Sequence, residues 1–255
     1  MAVYVRYAGD GPRFGELVGD MIHPLTGAPG SFAPSGEAPV AAASVRLLAP
    51  VEPSKIVAVG PNYKAHLQGG DPPGRPYYWI KPSTAVLDPE GTIELPGEPP
   101  MVCHESELAI VIGKRLRKVS PDEAAAGIFG YSCINDVSAG QLTDMAAYFA
   151  SQYFVDGKIY DTFAPIGPVI VTGIDATDLR VQCRVNGQTR QDHRTSDQIW
   201  PPAQLVSIIS QTLTLLPGDV VATGSPPGPG PLADGDVVEV EVEGIGILRN
   251  LVRNT

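Results

Sequence analysis

From Lys55 onward, Gly and Pro cut the chain into short runs of β-branched and aliphatic residues, and this punctuation constrains the fold more than any other feature. Lys55–Gly60, Tyr77–Lys81, Glu107–Gly113, Gly130–Asn135, Pro168–Thr172, Arg180–Val185, Val220–Thr223, Asp236–Val242 and Gly246–Val252 each read as a strand. Only two segments read as helices: Ser120–Ala126, with Ser120 at the N-cap and Glu123 at the third helical position, and Pro202–Thr212. With 28 Gly and 26 Pro to form tight corners, the chain is predicted to be α+β and β-dominated, with a closed or sandwich-like sheet. Residues 1–50 hold shorter strand patterns at Ala2–Tyr7, Arg13–Val18, Met21–His23 and Ser44–Leu48, around the breaker-rich Gly27–Pro39. They read as a small β-rich N-terminal region ahead of a larger unit over 51–255.

Eighteen Lys plus Arg against 28 Asp plus Glu give a formal net charge of −10, which argues against binding a phosphate backbone. The first ten residues lack the continuous apolar stretch of a signal peptide, and no run reaches the roughly 18 apolar residues that span a bilayer. A cytoplasmic protein with no nucleic-acid or membrane partner is expected. Cys103, Cys133 and Cys183 are odd in number, lack CxxC spacing and lie in or beside apolar runs. Buried free thiols are expected there.

Within this pattern stand three carboxylates. Glu105 and Glu107 in His104-Glu-Ser-Glu-Leu-Ala-Ile-Val-Ile-Gly113 are two apart, the spacing that puts side chains on one face of a strand, and Asp136 follows in Tyr131-Ser-Cys-Ile-Asn-Asp136. Like charges held that close repel, and a divalent cation relieves the repulsion. Hard oxygen ligands without His or Cys favour Mg²⁺, Mn²⁺ or Ca²⁺ over Zn²⁺. Three protein ligands leave coordination positions open, which suits a metal that binds a chelating substrate and polarises its oxygens. The alternative is a solvated acidic strand edge, although Leu108 to Gly113 carry no charge.

Several further motifs lie in a fixed order: Lys55-Ile-Val-Ala-Val-Gly-Pro-Asn-Tyr-Lys-Ala-His66, Trp79-Ile-Lys-Pro82, Asn135-Asp-Val-Ser-Ala139, Gly157-Lys158 with Asp161-Thr-Phe-Ala-Pro-Ile-Gly-Pro168, Pro217-Gly-Asp219 with Ala222-Thr-Gly-Ser-Pro226, and Gly235-Asp-Val-Val-Glu-Val240 with Gly244-Ile-Gly246 and Leu248-Arg-Asn250. Together with the carboxylate run they make residues 54–253 resemble the fumarylacetoacetate hydrolase family, in a short bacterial-type form. The resemblance implies a mixed β-roll or β-sandwich core and a homodimer. It implies Mg²⁺ or Mn²⁺ on Glu105, Glu107 and Asp136, and small 2-oxo acids or 1,3-dicarbonyls as substrates. Members of the family hydrolyse carbon–carbon bonds in acylpyruvates, decarboxylate oxaloacetate-like acids, or tautomerise such compounds.

The resemblance also implies residue roles. Lys158, otherwise a surface lysine, would sit beside the metal and stabilise a developing enolate. Thr223, Gly224 and Ser225 would bind substrate, where the residues alone permit either an anion-facing turn or a plain Gly-Pro corner. Lys81 fits a substrate contact or a structural salt bridge. His66 stands in a segment built as a loop and, taken alone, is a solvated histidine. In the similar enzymes the motif Asn-Tyr-x-x-His lies in a lid, and its His works with a Glu three residues later as an acid/base dyad. Here that later position is Gly69, and Asp71 is the one nearby substitute.

Other departures follow the same direction. Gly140 and Thr143 stand where the family often has Arg and Gln, and Asp156 where it commonly has Arg. The distal end of the substrate is therefore expected to be less anionic than in the usual dicarboxylate degraders. The leading expectation is a divalent-metal-dependent hydrolase or decarboxylase that cleaves a carbon–carbon bond through a metal-bound enolate. A tautomerase or isomerase, dehydratase or cyclase on the same fold is the nearest rival, and a non-catalytic small-molecule binding protein is a further one.

Overall fold

A strand that is apolar on both faces has to lie inside a molecule, and Ser106–Ile112 does so, with every residue buried. The computed structural model describes residues 1–67, 69–98, 101–140 and 153–255. Its principal strands are β1 (Ala2–Ala8), β2 (Pro12–Val18), β3 (Met21–Thr26), β4 (Ile56–Gly60), β5 (Tyr77–Lys81), β6 (Thr92–Leu95), β7 (Ser106–Ile112), β8 (Ile128–Asn135), β9 (Ala164–Thr172), β10 (Arg180–Val185), β11 (Gln188–Arg194), β12 (Val220–Ala222), β13 (Val237–Val242) and β14 (Gly246–Asn254). The main sheet runs in the order β3-β2-β1-β9-β8-β7-β12-β4-β5, antiparallel throughout except for the parallel pair β12 and β4. A second sheet has the order β6-β14-β13-β10-β11. The α+β, β-dominated expectation holds, and the main sheet curls into a half-barrel.

The two faces of β7 explain the layering. Leu108 packs with Cys133 against Val181, Val240, Val242 and Leu248 of the second sheet. Ile110 and Ile112 on the same face meet Leu205, Val206 and Ile209 of the helix α2 (Pro202–Thr212). The opposite face carries Glu107, then Ala109 and Val111, which pack with Ala58, Ala85, Ala164 and Ala222. The helix α1 (Pro121–Ala125) has its full capping box, with Ser120 accepting from the Glu123 N–H and Glu123 accepting from the Ser120 N–H.

The first fifty residues do not stand apart in hydrogen bonding, since β1 pairs with β9 from Ala2 opposite Thr172 to Tyr4 opposite Ile170. Met21–His23 extends to Thr26, and of Ser44–Leu48 only Leu47–Leu48 is strand, because Ala42–Ser44 forms a 3₁₀ turn. The strand predicted from Pro168 begins at Ala164. All three cysteines are buried and free. Among the described residues no helix is long and apolar enough to cross a membrane.

Candidate active site

The three carboxylates converge: one oxygen from each of Glu105, Glu107 and Asp136 lies within 4.8 Å of the others. The route differs from simple strand alternation. Glu105 sits at a break between Val102–His104, which pairs with Ser138–Ala139 in a separate three-stranded sheet, and β7, which pairs with β8. Backbone contacts replace the missing regularity: the Asp136 N–H donates to the Glu105 carbonyl at 2.9 Å, and the Glu105 N–H donates to Asn135 Oδ1 at 2.8 Å. Ser106 stands opposite Asn135 in the β7–β8 register, so Asp136 emerges beside the carboxylate run.

Lys158 Nζ spans two of the acids, 2.7 Å from Glu105 Oε1 and 3.0 Å from Asp136 Oδ2. It also lies 4.7 Å from the ring centre of Trp79, where the π face favours a cation. Lys81 Nζ is 2.6 Å from Asp136 Oδ1 and donates to the Val137 carbonyl at 2.9 Å. Lys81 stands on β5 and Asp136 just beyond β8, four inter-strand steps apart in sheet order. In a flat sheet at about 4.8 Å per step they would be roughly 19 Å apart, beyond a lysine's reach. The curl of the sheet closes that gap. Lys81 is 0% exposed and forms a buried ion pair with Asp136.

Glu107 and Asp136 are 1% and 0% exposed, which removes the solvated-edge reading. Burial pushes the Glu107 carboxyl well above its ordinary range, and the charges of Asp136 and Glu105 add to the shift. Burial raises Asp136 as well, but Lys158 and Lys81 outweigh it and hold that carboxyl below its ordinary value. Glu107 Oε2 accepts from the Gly224 N–H at 2.6 Å, whereas the buried Oε1 has no hydrogen-bond partner. An unpaired carboxylate oxygen in the interior is costly unless a cation meets it. Three carboxylates face two ammonium groups here, and all the acids offer hard oxygens. The residues therefore fit a divalent ion of the Mg²⁺ or Mn²⁺ kind.

The loop 223–225 is held by a set of hydrogen bonds. The Thr223 N–H donates to the Leu108 carbonyl, Thr223 Oγ1 donates to the same carbonyl at 3.0 Å and accepts from Gln198 Nε2 at 2.9 Å. Gly224 has φ +98°, and a Cβ there would meet Asn62 Cβ at 2.8 Å. That close approach lets Asn62 Nδ2 reach the Thr223 carbonyl at 2.7 Å and the Trp200 carbonyl at 3.1 Å. The same Asn62 precedes the turn Lys64–Leu67 that carries His66.

His66 is exposed, and its Nε2 lies 2.9 Å from the Ser225 carbonyl. A carbonyl only accepts, so Nε2 carries the proton and Nδ1 is the basic atom of the neutral ring. Gly69 is exposed at φ +86°, with open space where a Cβ would point, and Asp71 makes no hydrogen bond among the described residues. Gly140 is buried at φ +112°, a conformation that favours glycine. Asp156 is exposed, and Thr143 lies outside the described residues. Burial pushes the Cys103 thiol, the one nearest the acids, up to about 12, so it is no thiolate nucleophile near neutral pH.

Residues 55–253 match the profile described as Fumarylacetoacetate (FAA) hydrolase C-terminal, and residues 4–50 that described as Rv2993c-like, N-terminal. The chain belongs to the fumarylacetoacetate hydrolase family. It is 41% identical to the 5-carboxymethyl-2-hydroxymuconate delta-isomerase from Mycobacterium smegmatis, with a TM-score of 0.91 over 100% of both chains. It is 38% identical to the mitochondrial oxaloacetate tautomerase FAHD2A of Bos taurus over 82% of this chain and 69% of that one. The maleylpyruvate hydrolase from Sphingobium sp. SYK-6, in complex with manganese (II) ion and pyruvate, is 31% identical, with a TM-score of 0.81 over 100% of this chain and 99% of that one. The family thus contains isomerases, tautomerases and hydrolases on this fold.

Proposed function

We propose that this member is a Mg²⁺- or Mn²⁺-dependent tautomerase or isomerase of 2-oxo acids or 1,3-dicarbonyls, with Glu105, Glu107 and Asp136 as the metal ligands. The surroundings of His66 support proton transfer over hydrolysis: the one hydrogen-bond partner of its ring among the described residues is the Ser225 carbonyl, no carboxylate among them pairs directly with the ring, and Gly69 stands where the family's lid has Glu. Glu105, Glu107 and Asp136 would hold a divalent ion, whose positive charge would acidify a C–H next to the ketone of a bound substrate. Lys158 places an ammonium where negative charge develops on the enolate oxygen. His66 takes and returns the carbon-bound proton through Nδ1. Thr223, Gly224 and Ser225 line the substrate side, while Lys81 offsets the buried charge of Asp136. Hydrolytic or decarboxylative cleavage is the second reading, supported by the likeness to a maleylpyruvate hydrolase over the whole chain.

Proton NMR separates the two. Enol–keto exchange of oxaloacetate, followed with and without Mn²⁺, should accelerate with the purified protein only when the metal is present. Cleavage of a simple acylpyruvate under the same conditions should be at least about tenfold slower. Cleavage faster than exchange would reverse the assignment.

The protein is also proposed to be a homodimer. Strand β5 is an edge of the main sheet, and Tyr77 and Ile80 on it are 55% and 41% exposed. Light scattering should give twice the chain's 26.9 kDa. A fully active protein at the single-chain mass would overturn this.

A further inference from the structure

Gln191 of the second sheet reaches into the framework of the site from an edge strand made wholly of polar residues. Gln191 on β11 is 1% exposed and makes five hydrogen bonds. Its Oε1 accepts from the Ser106 N–H at 3.1 Å, from Ser106 Oγ at 3.1 Å and from His104 Nδ1 at 3.0 Å. Its Nε2 donates to Ser225 Oγ and to the Pro226 carbonyl, each at 2.7 Å. The orientation of the amide is fixed by chemistry, because the Ser106 N–H can only donate and the Pro226 carbonyl can only accept.

The two ends of this bridge matter. Ser106 lies between Glu105 and Glu107. Ser225 follows Gly224, whose N–H holds Glu107, and its carbonyl accepts from His66. Gly228, at φ +101°, lets the same loop lie against β11, where a Cβ would come within 2.5 Å of the Arg190 carbonyl oxygen. One amide therefore ties the carboxylate strand to the seat of the histidine.

We propose that Gln191 is a positioning residue that fixes the Ser225 carbonyl, and with it His66, relative to Glu105 and Glu107. This rests on the reading of His66 as the acid/base. Gln191 does not touch substrate. It acts by limiting the places the His66 ring can occupy, a form of preorganisation in which a shift of an ångström is enough to lower turnover.

The test uses the full chain with Mn²⁺ and oxaloacetate exchange. Gln191→Met keeps the volume and loses all five bonds, and it is made in the wild type and in a His66→Ala background. In the wild type it should lower kcat about tenfold with KM changed by less than about threefold; in the His66→Ala background the further loss should be under about twofold. Calorimetric Mn²⁺ affinity should stay within about threefold, since the bonds of the carboxylates themselves are retained. Gln191→Glu keeps an acceptor on Ser106 and replaces the amide donors, so it reports on the loop side if the Met variant does not fold, with the same dependence on background expected.

Equal losses in both backgrounds would make Gln191 a purely structural residue and overturn the proposal. So would a loss of Mn²⁺ affinity as large as the loss of kcat. A fully active His66→Ala protein is a different result: it overturns the acid/base assignment itself, and the positioning role with it.

Discussion

Glu107→Ala is expected to abolish the metal-dependent activity and to lower Mn²⁺ affinity by at least about 10²-fold. Loss of a group that only orients a ligand costs about 10–100-fold, and a ligand should cost no less than the upper end. The fold should survive the change. Glu107 Oε1 is buried without a partner, and burial with its acidic neighbours already raises its pKa. The carboxylate therefore destabilises the metal-free protein. Because the folded pKa lies above the unfolded one, the stability tied to this group is present below the unfolded pKa and is lost as pH rises through the folded value. The metal-free variant should lack that part of the pH dependence and should be no less stable than the wild type near neutral pH.

Metal reverses the comparison. At 100 times its dissociation constant, an ion that binds only the folded state stabilises by about 2.7 kcal/mol, a gain the wild type should show and Glu107→Ala should not. Binding should also displace a proton from the raised carboxyl, which calorimetry in two buffers of different ionisation enthalpy reads directly. Undiminished Mn²⁺ affinity in Glu107→Ala would remove Glu107 from the ligand set.

How much of this site the sequence makes legible depends on whether a residue's task is local. Leu108 to Ile112 announce a covered strand because apolar residues on both faces allow nothing else, and Ser120 with Glu123 announces a helix start through a three-residue spacing. Glu107 and Asp136 stand out as charges next to such runs. Glu105 is legible as a site residue but not as a strand residue, since the switch between sheets at that point depends on pairing partners 35 to 128 residues away in the chain.

Tertiary closure hides the rest. The contact of Lys81 with Asp136 follows from the curl of a whole sheet, and Trp79 lies beneath Lys158 because it shares a face of β5 with Lys81. Gln191 sits in Gln-Thr-Arg-Gln-Asp-His-Arg, whose seven positions include a single buried one and no apolar period at all. A strand with that composition is set by its neighbours β10 and the loop it supports, not by its own residues. Thr92–Leu95 and Val102–His104 were likewise too short to announce themselves.

His66→Ala should lower turnover by about 10²-fold or more, the usual contribution of a positioned general acid/base, while leaving Mn²⁺ affinity within about threefold, because His66 forms no ion pair with the three carboxylates. The Ser225 carbonyl fixes the protonated nitrogen of the His66 ring so that Nδ1 remains free to accept. Hydrolysis asks for more than proton transfer: a water must be held and activated, which the family's dyad does with a Glu that is Gly69 here. Gly69→Glu would restore that group, but at φ +86° a side chain costs about 1–2 kcal/mol of backbone strain, although nothing stands within 4 Å of the added Cβ. The expected outcome is a gain in acylpyruvate cleavage with exchange of oxaloacetate unchanged within about threefold. Asp71→Ala should leave both reactions intact, as Asp71 bonds to nothing among the described residues. Full exchange activity in His66→Ala would sink the mechanism, and loss of cleavage in Asp71→Ala alone would show that a displaced carboxylate does the work of the missing Glu.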